Sequence, residues 1–300
     1  MTELIDLFPG FETHLIDTSD ATIFARKGGS GPPLLLIHGY PQCHVMWHKV
    51  AAELSKHFTL VIPDLRGYGE SSCPPADPLN FAYSKRAMAN DLVELMGSFG
   101  FEDFRVVGHD RGGRVGYRMA LDYADKVNRL AVLDIIPTHA MWHNFTVKLA
   151  MKTYHWLFLA QPFPLPEMLI EKAPVEFLEY TIASWTKSKD LSGFSEEAMA
   201  HYRYHFSQKQ HVRATCEDYR AGQTYDLRAD EVDREKGNMI NCPLLALWGD
   251  AGIPGETDGP LAIWQQWGKD VSGQAIDSGH FMAEENPVDT LENLLPFLKK

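Results

Sequence analysis

A chain of 300 residues with 45% hydrophobic and 23% charged positions can bury a large core, which excludes a disordered protein or a small domain dependent on staples. Its formal net charge of −12 excludes a general nucleic-acid surface, because phosphate binding needs clustered Lys and Arg. An anionic ligand must therefore be met by arginines placed locally.

The opening MTELIDLFPGFETH has acids where a secretory leader needs a basic region, and it lacks a long apolar run. The four cysteines, Cys43, Cys73, Cys216 and Cys242, form no CxxC pair, so neither a disulfide framework nor a zinc knuckle is expected. The longest aliphatic stretch, Leu34 to Ile37, is too short to span a bilayer. These features predict a cytoplasmic protein with reduced thiols and no membrane association.

ETHLIDTS and ATIFARKG, joined by a Ser-Asp turn, predict an antiparallel hairpin. There follow PPLLLIH, a helix around Trp47 to Lys56, FTLVIPD, a helix through Met88 to Gly97, FRVVGHD, a helix from Gly113 to Tyr123, and RLAVLDI. Continuous apolar strands alternating with amphipathic helices imply an α/β protein whose parallel sheet is covered on both faces. From Pro137 to about Ile240 the pattern turns helical and rich in Trp, Tyr, His and Met; strands resume at PLLALWGD and end with QAIDSGH before a last helix. Eight strands are expected, in a core of residues 1–136 and 241–300 split by a helical insertion over 137–240.

Gly108-His109-Asp110-Arg111-Gly112 sits where the strand RVVG meets a helix. A sharp strand-turn-helix needs small residues around its central position and lifts that side chain above the sheet. Here the lifted group is a carboxylate, already ionised and able to attack carbon directly, although Asp also serves as an ordinary helix cap. His38 to Pro41, HGYP, follows LLLI and brings backbone N–H groups near the elbow; Tyr40 and Arg111 are the candidate amides for an oxyanion. DLRGYGES at Asp64 to Ser71 lacks the full GxGxxG of a dinucleotide loop.

Arg111 and Arg114, three apart at the start of a helix, both project toward the elbow and supply a fork for a substrate carboxylate, and their charge favours ionised Asp110. His280 lies in SGHF beyond a late strand, in the chain order nucleophile, acid, histidine. Two acids at strand ends, Asp134 and Asp250, compete to orient it, and spacing does not choose between them. His201 and His205 have i, i+4 spacing without the glutamate of HExxH and are expected to pack in the helical insertion. No metal and no cofactor are required.

HDRGGR around Asp110, LDIIPT around Asp134, YHW at Tyr154 to Trp156, DYR at Asp218 to Arg220 and SGHF at His280 together resemble the fluoroacetate dehalogenases, in the haloacetate dehalogenase group of the α/β-hydrolase superfamily. The resemblance spans nearly the whole chain. HGYP adds little, since epoxide hydrolases share it. The resemblance implies an α/β-hydrolase fold with a helical cap, a triad of Asp110, His280 and Asp134, a halide pocket of His155, Trp156 and Tyr219, and a homodimer. Met141 stands where an aromatic residue is expected, and Trp185 is a further pocket candidate. The implied partners are water and a small anionic haloacid. A chloro- or bromoacetate dehalogenase, an epoxide hydrolase and a non-catalytic ligand-binding scaffold are the alternatives.

Overall fold

A computed structural model describes residues 4–257 and 259–300. Eight strands form one sheet: β1 (Glu12–Asp17), β2 (Thr22–Gly29), β3 (Pro33–Ile37), β4 (Thr59–Pro63), β5 (Phe104–His109), β6 (Val127–Leu133), β7 (Leu244–Gly249) and β8 (Val271–Ile276), in the order β1-β2-β4-β3-β5-β6-β7-β8. The first two pairings, β1 with β2 and β2 with β4, are antiparallel, and the rest are parallel. The expected hairpin and the mostly parallel eight-stranded sheet are both present.

Helices α1 (His48–Leu54), α2 (Lys85–Ser98) and α3 (Arg111–Asp122) connect β3 through β6. Two begin earlier than periodicity predicts. Ser84 accepts the Ala87 N–H at 3.2 Å and caps α2 three residues ahead of Met88, and α3 starts at the elbow itself rather than at Gly113. The predicted helix at Trp47 to Lys56 is divided into a 3₁₀ turn over His44–Trp47 and then α1. Leu34, Leu35, Leu36 and Ile37 are fully buried because both faces of β3 are covered, and each such side chain contributes about 2 kcal/mol of apolar burial.

Between β6 and β7 the chain runs through α4 (Thr138–His143), α5 (Val147–Lys152), α6 (Tyr154–Leu159), α7 (Leu165–Ile170), α8 (Pro174–Trp185), α9 (Glu196–Phe206), α10 (Lys209–Gln223) and α11 (Tyr225–Lys236). After β7 come α12 (Pro260–Trp264), α13 (Met282–Glu285) and the closing α14 (Pro287–Leu298). β3 lies between β4 and β5, so the connection reverses direction there, and the loops beyond β3 and β5 open a crevice at the carboxyl ends of the strands. Among the described residues, no helix is long and apolar enough to cross a membrane.

Candidate active site

The turn after β5 holds Asp110 at φ 46° and ψ −119°, a conformation unfavourable for a residue with a side chain. Close packing sustains it: a Cβ on Gly112 would fall 2.2 Å from the His38 carbonyl oxygen, and one on Gly108 would fall 2.4 Å from that of Gly112. Asp110 is thereby lifted off the strand end and buried, with its Oδ2 accepting the Tyr40 N–H at 2.9 Å. Burial alone would raise its carboxyl pKa. The charges of His280, His109, Arg111 and Arg114 overcome that effect and leave it below the ordinary value.

His280, in the loop after β8, places Nδ1 2.6 Å from Oδ2 of Asp134. The other oxygen of Asp134 accepts the Gly249 N–H at 2.9 Å, so the carboxylate cannot turn away. Burial opposes the charged imidazole, but the hydrogen bond and charge of Asp134 raise its pKa above 6.5. His280 Nε2 is buried with no hydrogen-bond partner among the described residues. Of the two competing acids, Asp134 meets the histidine, whereas Asp250 is exposed and paired with Lys187 at 2.7 Å.

The two arginines expected to bind a substrate carboxylate have different protein partners. Arg111 gives its Nε to the Asp218 carboxylate at 3.1 Å and Nη2 to the Asp218 backbone oxygen at 2.7 Å, with its guanidinium 4.2 Å from the Tyr219 ring centroid. Asp218 also pairs with Lys85 and accepts the Tyr68 hydroxyl at 2.7 Å. Arg114 pairs with no carboxylate among the described residues. Its Nη1 donates to the Ile136 carbonyl at 3.0 Å and the Thr138 hydroxyl at 3.1 Å, and its Nε is buried without a partner. Burial pulls the Arg114 pKa down.

A cavity of about 20 Å³ joins these groups; that is little more than one water needs. Asp110, Arg114, Asp134 and His280 line it from the core, and Met141, His155, Trp156 and Trp185 line it from the helical segment. Met141 thus stands in the cavity wall. Tyr219 stands behind, with its ring centroid 5.8 Å from His155 and 6.0 Å from Trp156, and Tyr40 lies 5.4 Å from Tyr219. Burial drives the His155 pKa down to about 3, so its imidazole is neutral near pH 7. A wider cavity of about 210 Å³ shares Trp185, Ile253 and His280 with the small one and is also lined by Lys152 and Lys189.

The structure separates other motifs from this centre. DLRGYGES is a structural turn: Asp64 accepts the N–H groups of His44 at 2.6 Å and Glu70 at 2.9 Å. Cys43, His44 and Asp64 have ligand-like spacing, but those hydrogen bonds and the His44 ring already occupy the Asp64 carboxylate. His201 packs at the edge of α9 and hydrogen-bonds the Ile5 carbonyl at 2.9 Å, and buried His205 lies 3.6 Å from Glu70. Sequence reasoning assigned no role to Asp218, Thr138 or the Ile136 carbonyl. The only available signal was the position of Asp218 beside Tyr219 within DYR.

The alpha/beta hydrolase fold family model matches residues 32–287. The chain is 43% identical to a fluoroacetate dehalogenase from Burkholderia sp, over 97% of this chain and 95% of the relative. It is also 33% identical to a soluble epoxide hydrolase from Corynebacterium sp. (strain C12), over 90% of this chain and 91% of the relative. A solved structure from Nostoc sp PCC 7120, described only as an alpha/beta hydrolase, superposes with a TM-score of 0.93 at 49% identity, covering 96% of this chain and 98% of that one.

Proposed function

The chain belongs to the alpha/beta hydrolase family, and from that premise we propose that it is a haloacid dehalogenase whose leading substrate is fluoroacetate. The observation that carries this reading is Arg114, a buried guanidinium that has no carboxylate ion-pair partner among the described residues and lines the same small cavity as Asp110. A buried charge with no directly bonded ion partner is expensive, and a substrate carboxylate would supply one. Residues 137–240 act in this reading as a cap over a core of 1–136 and 241–300.

An Asp110 oxygen attacks the carbon bearing the halogen. The carbon–halogen bond breaks, its electron pair leaves on the halide, and an ester forms with Asp110. Water then attacks the ester carbonyl as His280 Nε2 takes its proton, with Asp134 holding the imidazole through Nδ1. The Tyr40 amide, already on the Asp110 carboxylate, and the Arg111 amide at the start of α3 are assigned to the developing oxyanion. Collapse returns the proton to the departing hydroxyacid. His155, Trp156 and Tyr219 are assigned to the leaving halide as N–H and O–H donors; three bonds each strengthening by about 1 to 2 kcal/mol supply roughly two to four powers of ten in rate.

The epoxide hydrolase relative supports a second reading, in which a cap tyrosine protonates an opening ring. Tyr219 is buried beside the cavity, and Tyr154 lines the wider chamber. Nothing in that chemistry needs the unpaired Arg114. Halide release measured with fluoroacetate and chloroacetate, beside diol formation from a simple epoxide, separates the readings. Diol formation without halide release overturns the dehalogenase.

A further inference from the structure

Glu285 closes α13, five residues beyond His280, and its carboxylate is spent entirely on backbone. Its Oε2 accepts the N–H of Gly279 at 3.0 Å and of Lys187 at 2.8 Å, and its Oε1 accepts the N–H of Phe281 at 2.9 Å. Gly279 and Phe281 flank His280. Lys187 belongs to the helical segment, two residues beyond Trp185. The N–H between them, that of His280, donates to the Trp185 carbonyl at 3.0 Å. His109 Nε2 donates to the His280 carbonyl at 2.8 Å.

The chains meet so closely that a Cβ on Gly279 would lie 2.4 Å from the Lys187 nitrogen. Trp185 and His280 each line both cavities, with ring centroids 5.3 Å apart. Lys187 Nζ ties the same segment outward to Asp250 and Asp277.

We propose that Glu285 is a positioning residue that fixes the His280 loop and the Trp185–Lys187 segment as one unit, holding the imidazole in register with Asp134 and with the ester on Asp110. Charge-assisted bonds from three amides to one carboxylate make this junction stiffer than the flanking loops would be alone. The rate effect rests on the dehalogenase reading, whereas the positioning does not. Because the imidazole acts after the halide has left, loss of Glu285 falls on ester hydrolysis and spares the first displacement.

The test uses Glu285→Ala and Glu285→Gln in the full chain. With chloroacetate, Glu285→Ala should release one halide per site at close to the wild-type rate and then turn over on the order of 10- to 100-fold more slowly, the scale of an ångström-level misplacement. Intact mass should show the ester accumulating on the protein. Glu285→Gln, which keeps one acceptor oxygen, should lie between Glu285→Ala and wild type. The independent readout is the low-field proton resonance of the His280 Nδ1–H bond to Asp134, expected sharp in wild type and broadened or moved upfield in Glu285→Ala. Equal slowing of halide release and turnover, with that resonance unchanged, overturns the proposal. Should wild type release no halide from any haloacetate, the dehalogenase reading fails, and the resonance decides the positioning role: a change upholds it and no change overturns it. If Glu285→Ala does not fold, Glu285→Gln is judged by the same two measurements.

Discussion

Nδ1 of His280 lies 2.6 Å from Oδ2 of Asp134 across 146 residues of chain, while Nε2 of the same ring is buried without a hydrogen-bond partner among the described residues. The carboxylate dictates which nitrogen carries the proton and leaves the other as a base aimed into the site. His280→Asn should therefore release one halide per site and stall as the ester on Asp110. Asp134→Asn should reduce turnover by roughly 10³- to 10⁴-fold, the scale found when a triad acid no longer sets the tautomer. Multiple turnovers by a verified His280→Asn protein would sink the base assignment.

The pH profile follows from the same pair. His280 must be neutral to take a proton, and its pKa lies above 6.5 because Asp134 outweighs burial. Turnover should rise with pH through that raised value. Asp110, held below its ordinary pKa, adds no second limb in this range. An acid limb centred below 6.5 in steady-state turnover would contradict this account.

Arg114 and Arg111 should respond differently to loss of charge. Arg114→Gln removes the unpaired cation from the cavity and should lower kcat/KM for haloacetates by roughly 10- to 100-fold, the worth of one charged hydrogen bond. Arg111→Gln leaves Asp218 facing Lys85 alone and should also lower the melting temperature. Kinetics and thermal melts on both variants distinguish the roles; an unchanged KM and kcat in Arg114→Gln would remove the anion-binding assignment.

Substitutions at the halide donors should discriminate by leaving group. Fluoride concentrates charge and depends on donors more than chloride does, so Trp156→Phe and Tyr219→Phe should slow fluoroacetate more than chloroacetate. Parallel rate assays on the two substrates check this. Equal losses would mark both side chains as packing.

Glu284 offers a stability test away from the chemistry. Its buried carboxyl, contacted by Gln42 and by the Tyr202 hydroxyl at 3.1 Å, is pushed by burial to about 8 from 4.5. A folded-state pKa above the unfolded one stabilises fully below 4.5, and that stability is lost as pH rises toward about 8. Glu284→Gln should flatten this decline, leaving the variant relatively more stable at pH 8 than at pH 5 by a few kcal/mol (roughly 1.4 per pKa unit). Denaturation curves that shift equally at both pH values would refute it.

Much of the architecture was legible in the chain. Apolar runs such as Leu34 to Ile37 read as buried strands because a covered parallel sheet admits no polar face. The helix starts were less legible, since Ser84 and Asp110 set them through local backbone geometry that hydrophobic periodicity does not register. The choice between Asp134 and Asp250 was absent from spacing altogether. Both end neighbouring strands, and only the path of the His280 loop brings one of them to the imidazole.

The sequence by itself determined the alternation of strands and helices, the elbow at Asp110, and the presence of two arginines beside it, because each is written in residues close along the chain. Only the tertiary structure decided what those arginines do. Asp218, 107 residues beyond Arg111, holds its guanidinium, while Arg114 meets the Ile136 carbonyl, the Thr138 hydroxyl and the face of the Trp156 ring, whose centroid is 4.5 Å from its guanidinium. A charge is available to a ligand only where no other side chain has neutralised it. That depends on which distant segments pack together, here α10 against the start of α3.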